Sequence, residues 1–368
     1  MLRTPTPTVE TESPPTPGLR LLSLDGGGIR GLSMLIILKN IMYKLQVVEK
    51  RPDVPRPCDY FDLIGGTSTG GLIALMLGRL RMSVDDAIAA YAELSKEVFS
   101  DVKPKGHEGR FKASKLENAI KQIVGAHSAS KDPEERMKDN RNSACKIFVC
   151  SMNAANMGLP VLFRTYDSPD HPAAECTIWE AGRATSAAPT FFKQIKIGRP
   201  GLEEAFVDGG MGNNNPISSL LLEAKIMFPN RQMACVISLG TGQPQTINIP
   251  KASFVQRFLP LDVVDALKEI ATNCETQHQG TAHQFEQVPR VYFRFNVEQG
   301  MQNILLSQWE ALGAVKAHTD QYILGQAAKS HLADAVKSLS EKIGKVPTAS
   351  YSYNENSSVL VAEPRNYN

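Results

Sequence analysis

The sequence predicts an α/β fold in which a mainly parallel sheet is covered by helices on both faces. Short apolar runs, each about the length of a buried strand, alternate along the chain with stretches of helical periodicity. This order of elements is typical of a parallel sheet with helices packed on its two sides. Three of the apolar runs end in glycine-rich turns, at 25–31, 65–71 and 208–210. Because ligands bind beyond the carboxyl ends of such strands, the three turns are expected to converge on one site.

The individual elements are predicted from apolar spacing and from breaks at proline and glycine. Strands are predicted at 21–24, 61–64, 147–150, 161–164, 205–207, 236–239 and 291–295. Helices are predicted at 32–45, 72–79, 84–99, 179–187, 216–227, 261–271, 305–324 and 327–343. The polar stretches 101–110 and 126–143 are expected to be surface loops.

The composition is typical of a globular protein. Of the 368 residues, 42% are hydrophobic and 21% are charged, and the net charge of +2 gives no reason to expect a nucleic-acid partner. The Pro- and Thr-rich residues 1–17 are expected to be disordered, residues 18–345 to form the domain, and residues 346–368 to be a polar tail.

The cellular location of the protein is predicted from targeting signals and from the pattern of cysteines. The N-terminus lacks the apolar segment of a signal peptide, and no apolar run reaches the roughly 18–20 residues that span a bilayer. The six cysteines form no C-x-x-C pair, so a zinc site is not expected. Reduced thiols of this kind are typical of cytosolic proteins. We therefore expect a cytoplasmic protein that is not secreted and that contacts membranes only transiently, at their surface.

The turn at 65–71 contains the pattern G-x-S-x-G, formed by Gly66, Ser68 and Gly70. It lies between a predicted strand and a predicted helix, which is the setting that this motif requires. A serine on such a turn projects its hydroxyl outward, while the glycines let the strand and the helix pass closely. The positive end of the following helix also stabilises a developing oxyanion. Ser68 is therefore the predicted nucleophile.

The turn after the first strand carries three consecutive glycines, in Asp25-Gly26-Gly27-Gly28-Ile29-Arg30-Gly31. Acyl transfer needs backbone N–H groups aimed at an oxyanion, and a loop without side chains supplies them. The same glycines match the dinucleotide pattern G-x-G-x-x-G, which also requires an acidic residue after a second strand about 20 residues on. A proline-broken loop without a preceding strand occupies that position. An oxyanion hole is therefore favoured over a dinucleotide site, with Asp25 as a brace of the loop.

A serine nucleophile needs a base, and the sequence offers two alternatives. The first is Asp208, which follows a predicted strand and begins the turn that contains Gly209 and Gly210. The second is a histidine of a conventional triad. Of the seven histidines, none adjoins a recognisable strand-end motif, and four follow Asp208 in the chain: His278, His283, His318 and His331. Asp208 is favoured, and a triad stays open as the alternative.

Together, the three motifs resemble those of the patatin-like phospholipases. The glycine-rich loop at 25–31, the G-x-S-x-G at 66–70 and the Asp-Gly-Gly at 208–210 occur in the order of that family. The segment 179–192 also resembles the family's sequence ahead of its catalytic aspartate. The resemblance covers about residues 18–345 and is strongest over 20–242.

The resemblance implies a three-layer α/β/α sandwich and a Ser68–Asp208 dyad without histidine. It also implies an oxyanion hole formed by Gly26, Gly27 and Gly28. Other motif residues would support these groups: Asp25, Arg30, Gly31, Gly66, Gly70, Gly209 and Gly210. Members of the family cleave acyl esters of phospholipids or neutral lipids, and their catalytic fold uses neither a metal nor a cofactor.

The expected activity is hydrolysis of phospholipid acyl esters through an acyl-enzyme. Because a free aspartate near pKa 4 is a poor base at pH 7, burial must raise the pKa of Asp208. The same dyad could instead transfer the acyl group to another lipid or act on neutral lipids. An alternative of another class is a non-catalytic lipid-binding or signalling scaffold. The sequence does not indicate which protein partners the chain has.

Overall fold

In the computed structural model of the protein, the described residues are 16–104, 109–141, 145–169, 171–242 and 274–351. Within these ranges, nine strands form one sheet. The strands are β1 (Leu19–Leu24), β2 (Leu63–Thr67), β3 (Lys146–Asn153), β4 (Asn156–Arg164), β5 (Ile195–Ile197), β6 (Glu204–Asp208), β7 (Gln232–Leu239), β8 (Tyr292–Phe295) and β9 (Val346–Pro347). The helices are α1 (Leu32–Val48), α2 (Pro57–Tyr60), α3 (Thr69–Ala74), α4 (Val84–Phe99), α5 (Ala113–His127), α6 (Ile178–Thr185), α7 (Ile217–Met227), α8 (274–284), α9 (Leu312–Leu324) and α10 (Gln326–Glu341).

The centre of the sheet is parallel. Its strands follow the order β3-β2-β1-β7-β8, and each adjacent pair in this order is parallel. Antiparallel strands flank this centre, since β4 and β6 pair with β3, β5 pairs with β6, and β9 pairs with β7. The predicted mainly parallel sheet is therefore confirmed.

Two apolar cores lie on the two faces of this sheet. In β1, Leu22 and Leu24 belong to the larger core, whereas Leu19 and Leu21 belong to the smaller one, as the alternation of side chains along a strand requires. Side chains of α1, α3, α4, α5, α6, α9 and α10 fill the larger core, and side chains of α7 fill the smaller one. Helices thus cover both faces, which confirms the α/β/α sandwich.

The long strand β3 aligns two other strands end to end. Its first part pairs with β2 and its last part with β6, while β4 occupies the opposite edge. At the junction, Thr67 of β2 is paired with Cys150, and Asp208 of β6 is paired with the next residue, Ser151. Consecutive residues of one strand therefore bring the carboxyl ends of β2 and β6 together.

Helix α1 and the 3-10 turn before it form one helical segment, Gly28–Val48. This segment is long and apolar enough to span a membrane, so the expectation that no run reaches this length is wrong. In the fold, however, the segment packs against α4, α9 and α10, and its side chains Leu35, Leu38 and Ile41 are completely buried in the larger core. Core helices of folded domains meet the same length and composition criteria.

The sequence prediction lacks helices α2, α5 and α8 and places the start of α9 too early, and one predicted helix lies outside the described residues. Helix α5 is absent from the sequence prediction, because Lys, Glu and Gln residues interrupt the apolar positions that it packs against α4 and α6. The helix predicted at 305–324 begins only at Leu312, after a 3-10 turn at Trp309–Ala311. The helix predicted at 261–271 lies outside the described residues.

The chain stays packed beyond the predicted domain boundary at 345. Val346 pairs with Met233 of β7, and the hydroxyl of Thr348 donates a hydrogen bond of 2.7 Å to the carbonyl of Phe228. Tyr351 is buried in the smaller core. Packed chain therefore continues past residue 345 as far as Tyr351, the last residue that the structure describes.

Candidate active site

Ser68 lies in the sharp turn between β2 and α3. Its φ of 53° and ψ of −124° fall in a region that residues with a side chain rarely adopt. The glycines on either side permit the turn. A Cβ on Gly70 would lie 2.1 Å from the carbonyl oxygen of Leu24, and a Cβ on Gly66 would lie 2.2 Å from the carbonyl oxygen of Gly70. This is the geometry of a nucleophile elbow, in which the serine hydroxyl is presented outside the turn.

The hydroxyl of Ser68 donates a hydrogen bond to the Asp208 carboxylate, with 2.7 Å between Oγ and Oδ2. The other carboxylate oxygen accepts the N–H of Gly210 at 2.7 Å. The backbone of the nucleophile is held as well, because the N–H of Ser68 donates to the hydroxyl of Thr185 at 2.8 Å. That hydroxyl in turn donates to the carbonyl of Cys150 at 2.6 Å, which ties the elbow to β3.

Burial controls the charge of Asp208. The side chain is almost fully enclosed, and the loss of hydration raises its pKa from an ordinary value to about 7. The hydrogen bonds from Ser68 and Gly210 only partly offset this effect. No Lys or Arg of the described residues forms an ion pair with the carboxylate that would lower its pKa. The group is therefore basic enough at neutral pH to accept a proton from a hydroxyl.

The glycine-rich loop runs beside the elbow, and the peptide groups of Gly26 are fixed. Its N–H donates to the carbonyl of Asn214 at 3.1 Å, and its carbonyl accepts the hydroxyl of Thr241 at 2.9 Å. Since the peptide is planar and trans, the next N–H, on Gly27, points away from Thr241. The N–H of Gly26 is thus already bonded, in contrast to the three-donor oxyanion hole that the sequence implies.

The second half of this loop is held from the opposite side. Gly28 has a φ of +54°, and its carbonyl accepts the hydroxyls of Tyr91 at 2.6 Å and Thr69 at 3.0 Å. Among the described residues, the N–H groups of Gly27 and Gly28 have no acceptor, and both glycines line the same cavity as Ser68. These two N–H groups are the free donors beside the nucleophile.

Asp25 braces the beginning of the loop through a buried ion pair. Its Oδ2 accepts Nη2 of Arg294 at 2.6 Å, and Nη1 of the same guanidinium donates to the hydroxyl of Ser238 at 2.8 Å. Burial by itself would lower the pKa of Arg294, but the adjacent carboxylate more than reverses this and raises it. Arg294 therefore stays charged, and Asp25 joins the loop to β8 as an anchor.

The three turns open into one cavity of about 320 Å³, within the range of ligand pockets. Its lining includes the polar side chains of Asp25, Asn214 and Arg294, and apolar side chains from α3, α4 and α5. Arg30 also lines the cavity. Burial lowers the pKa of Arg30 to about 10, so the group is still a cation at neutral pH, and no carboxylate of the described residues pairs with it.

None of the described histidines lines this cavity. His278 lies 3.0 Å from the hydroxyl of Tyr292, measured from Nδ1, and His331 packs against aromatic rings of β8. His283 is exposed beside Glu286. His107 lies outside the described residues. Within the described part of the chain, Asp208 is the ionisable side chain that meets the hydroxyl of Ser68.

Two other interpretations of the motifs can be compared with the structure. The acidic residue that a dinucleotide site requires would fall at 50–53, and these residues lie in the connection between α1 and α2, with no strand before them. The described residues contain no group of three or more His, Cys, Asp or Glu side chains arranged to hold a metal ion.

Several residues of the site are absent from the sequence prediction. Asn214, Thr185 and Thr241 lie in segments that the motifs already mark, but their partners are set by the fold. Tyr91 and Arg294 lie within an ordinary helix and an ordinary strand, and nothing local distinguishes them. Their roles depend on contacts between residues far apart in the chain, so a single sequence does not reveal them.

The fold and the cavity define an α/β protein of the serine-hydrolase type, with its nucleophile elbow beside a buried carboxylate. The sequence pattern described as patatin-like phospholipase matches residues 22–221, which is more than half of the chain. The chain therefore belongs to the patatin-like phospholipase family.

Similar proteins from other organisms support this membership. Phospholipase A I of Arabidopsis thaliana is 27% identical over 77% of this chain and 25% of its own length. Human calcium-independent phospholipase A2-gamma is 31% identical over 61% of this chain and 28% of its own length. The probable inactive patatin-like protein 9 of Arabidopsis thaliana is 26% identical over 72% of this chain and 71% of its own. The alignments thus span about a quarter of the two phospholipases.

The strain at the elbow predicts an unusual order of stability among variants of Ser68. Ser68→Gly and Ser68→Ala both lack the hydroxyl, but only glycine adopts the observed φ without strain. We expect the glycine variant to be more stable by about 1 kcal/mol in urea unfolding.

The matched control is Ser330, which is exposed within α10. There the glycine variant should be less stable than the alanine variant by about 1 kcal/mol, because glycine is a poor helix former. The same order of stability at both sites would show that the elbow is not strained.

Proposed function

We propose that the chain is a phospholipase A-type lipid acyl hydrolase that cleaves fatty-acyl esters of phospholipids with a Ser68–Asp208 dyad. The proposal rests above all on the 2.7 Å hydrogen bond from Ser68 Oγ to a buried carboxylate whose pKa is about 7. The names of the two phospholipase relatives support the substrate class. Because the chain matches only part of those proteins, the activity is proposed from the site and not transferred with the names.

The proposed reaction proceeds through an acyl-enzyme. Asp208 accepts the proton of Ser68 as Oγ attacks the ester carbonyl carbon, and the N–H groups of Gly27 and Gly28 hold the oxyanion. Collapse of this intermediate breaks the ester bond, and Asp208 gives the proton to the departing lysolipid oxygen. A water molecule then attacks the acyl-enzyme with Asp208 as its base. Release of the fatty acid returns the proton to Ser68.

Two alternative functions would use the same catalytic site, and a third would involve no catalysis. An acyltransferase would use the same acyl-enzyme with a lipid hydroxyl in place of water, and a neutral-lipid hydrolase would differ only in the alcohol part of its substrate. A non-catalytic scaffold is disfavoured, since Ser68 and Asp208 are both present and hydrogen-bonded. A cytoplasmic location with transient membrane contact stays a prediction.

A substitution of the base tests the dyad. Asp208→Asn preserves the size of the side chain and its place beside Ser68 but cannot accept a proton, so kcat should fall by about 10²–10⁴-fold. Ser68→Ala should lose activity completely and should also lose labelling by a fluorophosphonate. The measurement is hydrolysis of a soluble short-chain ester, with folding checked by circular dichroism.

His278→Ala is the matched control, because α8 carries this residue near the cavity but outside its lining. It should retain kcat within a small factor, as should His283→Ala, His318→Ala and His331→Ala. A folded histidine variant as inactive as Ser68→Ala would replace the dyad with a conventional triad.

The pKa of Asp208 predicts how activity depends on pH. The base must be ionised to accept a proton, and burial raises its pKa to about 7. Below this value kcat/KM should fall about tenfold per pH unit, and above it the profile should level off. The measurement is kcat/KM for a neutral soluble ester at constant ionic strength. A profile that stays flat from about pH 5 to pH 8 would contradict the raised pKa.

Arg30 gives a reason to favour phospholipids over neutral lipids. It is a cation on the wall of the cavity, without an acidic partner among the described residues. A phosphate is the group that such a guanidinium binds best, through paired hydrogen bonds. The alternative is a structural role, in which Arg30 only shapes the loop that precedes α1.

Arg30→Gln should lower kcat/KM for a phospholipid by about tenfold or more, because a charged hydrogen bond is lost. Hydrolysis of a neutral short-chain ester should change little, and Arg30→Lys should restore part of the loss on phospholipid. The measurement is the ratio of the two kcat/KM values. An equal loss on both substrates would assign Arg30 a structural role and remove this reason for phospholipid as the substrate.

A further inference from the structure

Part of the lining of the catalytic cavity is apolar and comes mainly from helices α3, α4 and α5. We call this part of the cavity the apolar arm. Side chains from these helices and from the segment after α6 line it: Leu72, Leu94, Val98, Phe99, Leu116 and Phe192. Phe99, Phe111 and Phe192 pack together at one side, with ring centroids 5.0–6.1 Å apart. The arm begins at the elbow, since Leu72 lies one helical turn after Ser68 and its N–H donates to the carbonyl of Ser68 at 3.0 Å.

A second, much smaller cavity of about 10 Å³ lies among α3, α4, α5 and α6. Its lining is entirely apolar, and Met76, Leu80, Ile120 and Ile178 are among the side chains that form it. Dry apolar cavities of this kind can accept apolar groups when they become accessible. By itself this cavity is too small for a ligand, but it adjoins the apolar arm.

Leu72 and Leu94 line both cavities, and they are the residues that the two linings share. Each presents one side to the apolar arm and the other to the small cavity, and each is almost fully buried. Leu72 has little room to move, because even a Cβ on Gly182 of α6 would come within 3.3 Å of its Cδ2. The two leucines therefore form a fixed partition of one side-chain thickness.

We propose that Leu72 and Leu94 are the wall that separates the acyl-chain site from the small cavity, and that this wall limits the length of the fatty-acyl chain that the arm accepts. This inference rests on the proposed function, in which the acyl carbon is bonded to Ser68 and the chain extends into the apolar arm. Each methylene buried in the arm should raise kcat/KM about fourfold until the chain reaches the partition. Longer chains meet packed side chains, and the gain turns into a loss.

The test is the chain-length profile for a series of p-nitrophenyl esters from butyrate to stearate. In Leu72→Ala or Leu94→Ala, the arm joins the small cavity, and the most rapidly cleaved ester should be longer than for the wild-type protein. The ratio of kcat/KM for a longer ester to that for a shorter ester should rise about 16-fold, the effect of two methylenes. Leu94→Phe should thicken the wall and shift the profile toward shorter esters.

Leu80→Ala is the matched control. It removes the same atoms from the far wall of the small cavity and leaves the partition in place, so its profile should keep the wild-type maximum. Leu94→Val, a milder truncation, replaces Leu94→Ala if circular dichroism shows that the alanine variant does not fold.

The same variants are also titrated with free fatty acids of graded length by calorimetry, in the Ser68→Ala background. This binding readout does not depend on catalysis. If the wild-type protein hydrolyses none of the esters, the proposed function fails, and a longer maximum in the binding profile of the leucine variants still supports the partition. If folded Leu72→Ala and Leu94→Ala keep the wild-type chain-length maximum in both readouts, the partition is refuted even when hydrolysis is normal.

Discussion

The site depends on the pairing of one strand with two others along the same edge. Cys150 of β3 pairs with the last residue of β2, and the next residue, Ser151, pairs with the last residue of β6. A shift of either register by one residue would move Ser68 and Asp208 apart. It would also turn every side chain of the shifted strand to the other face of the sheet. The hydroxyl of Ser151 donates to the carbonyl of Val207 at 2.6 Å and lies 3.1 Å from the carbonyl of Ala184, which adds a side-chain bond to this junction. The distance between nucleophile and carboxylate is therefore a property of the sheet, and not of the loops.

The loops of the site have a different role, because hydrogen bonds to them fix the orientation of individual peptide groups. The glycine loop has no side chains of its own, and it is fixed by groups from the ends of other elements. Asn214 follows β6, Thr241 follows β7 and Tyr91 comes from α4, and each bonds a carbonyl or N–H of the loop. A carbonyl that is bonded on one side directs the next N–H to the other side. The free N–H of Gly27 is thereby oriented before any substrate binds, as effective stabilisation of an oxyanion requires.

The fold class and the three glycine-rich turns could be predicted from the sequence because both depend on local patterns. The buried runs of β1, β2 and β7 and the glycines after them are visible in any short window of the chain. Helix α5 was hidden by its polar face, and the packed segment at Val346–Tyr351 by its polar composition. The pairing of Asp25 with Arg294 joins residues at opposite ends of the sequence, so no local pattern could indicate it. The hydrogen bond from the N–H of Gly26 to the carbonyl of Asn214 is likewise visible only in the folded chain.

Two buried carboxylates of the cavity, Asp25 and Asp208, have opposite surroundings. Burial raises the pKa of Asp25, but a guanidinium 2.6 Å away favours its charged form, so Asp25 serves as an anchor. Asp208 accepts only a hydroxyl and a backbone N–H, and without a cation its pKa rises to about 7. In a triad a histidine supplies a group that titrates near neutral pH, and an aspartate orients it. Under the proposed function, burial gives the carboxylate that property, and the dyad requires no histidine. This account also explains why Asp208 must stay enclosed: a cation or water beside it would stabilise the charged form, lower its pKa and weaken it as a base.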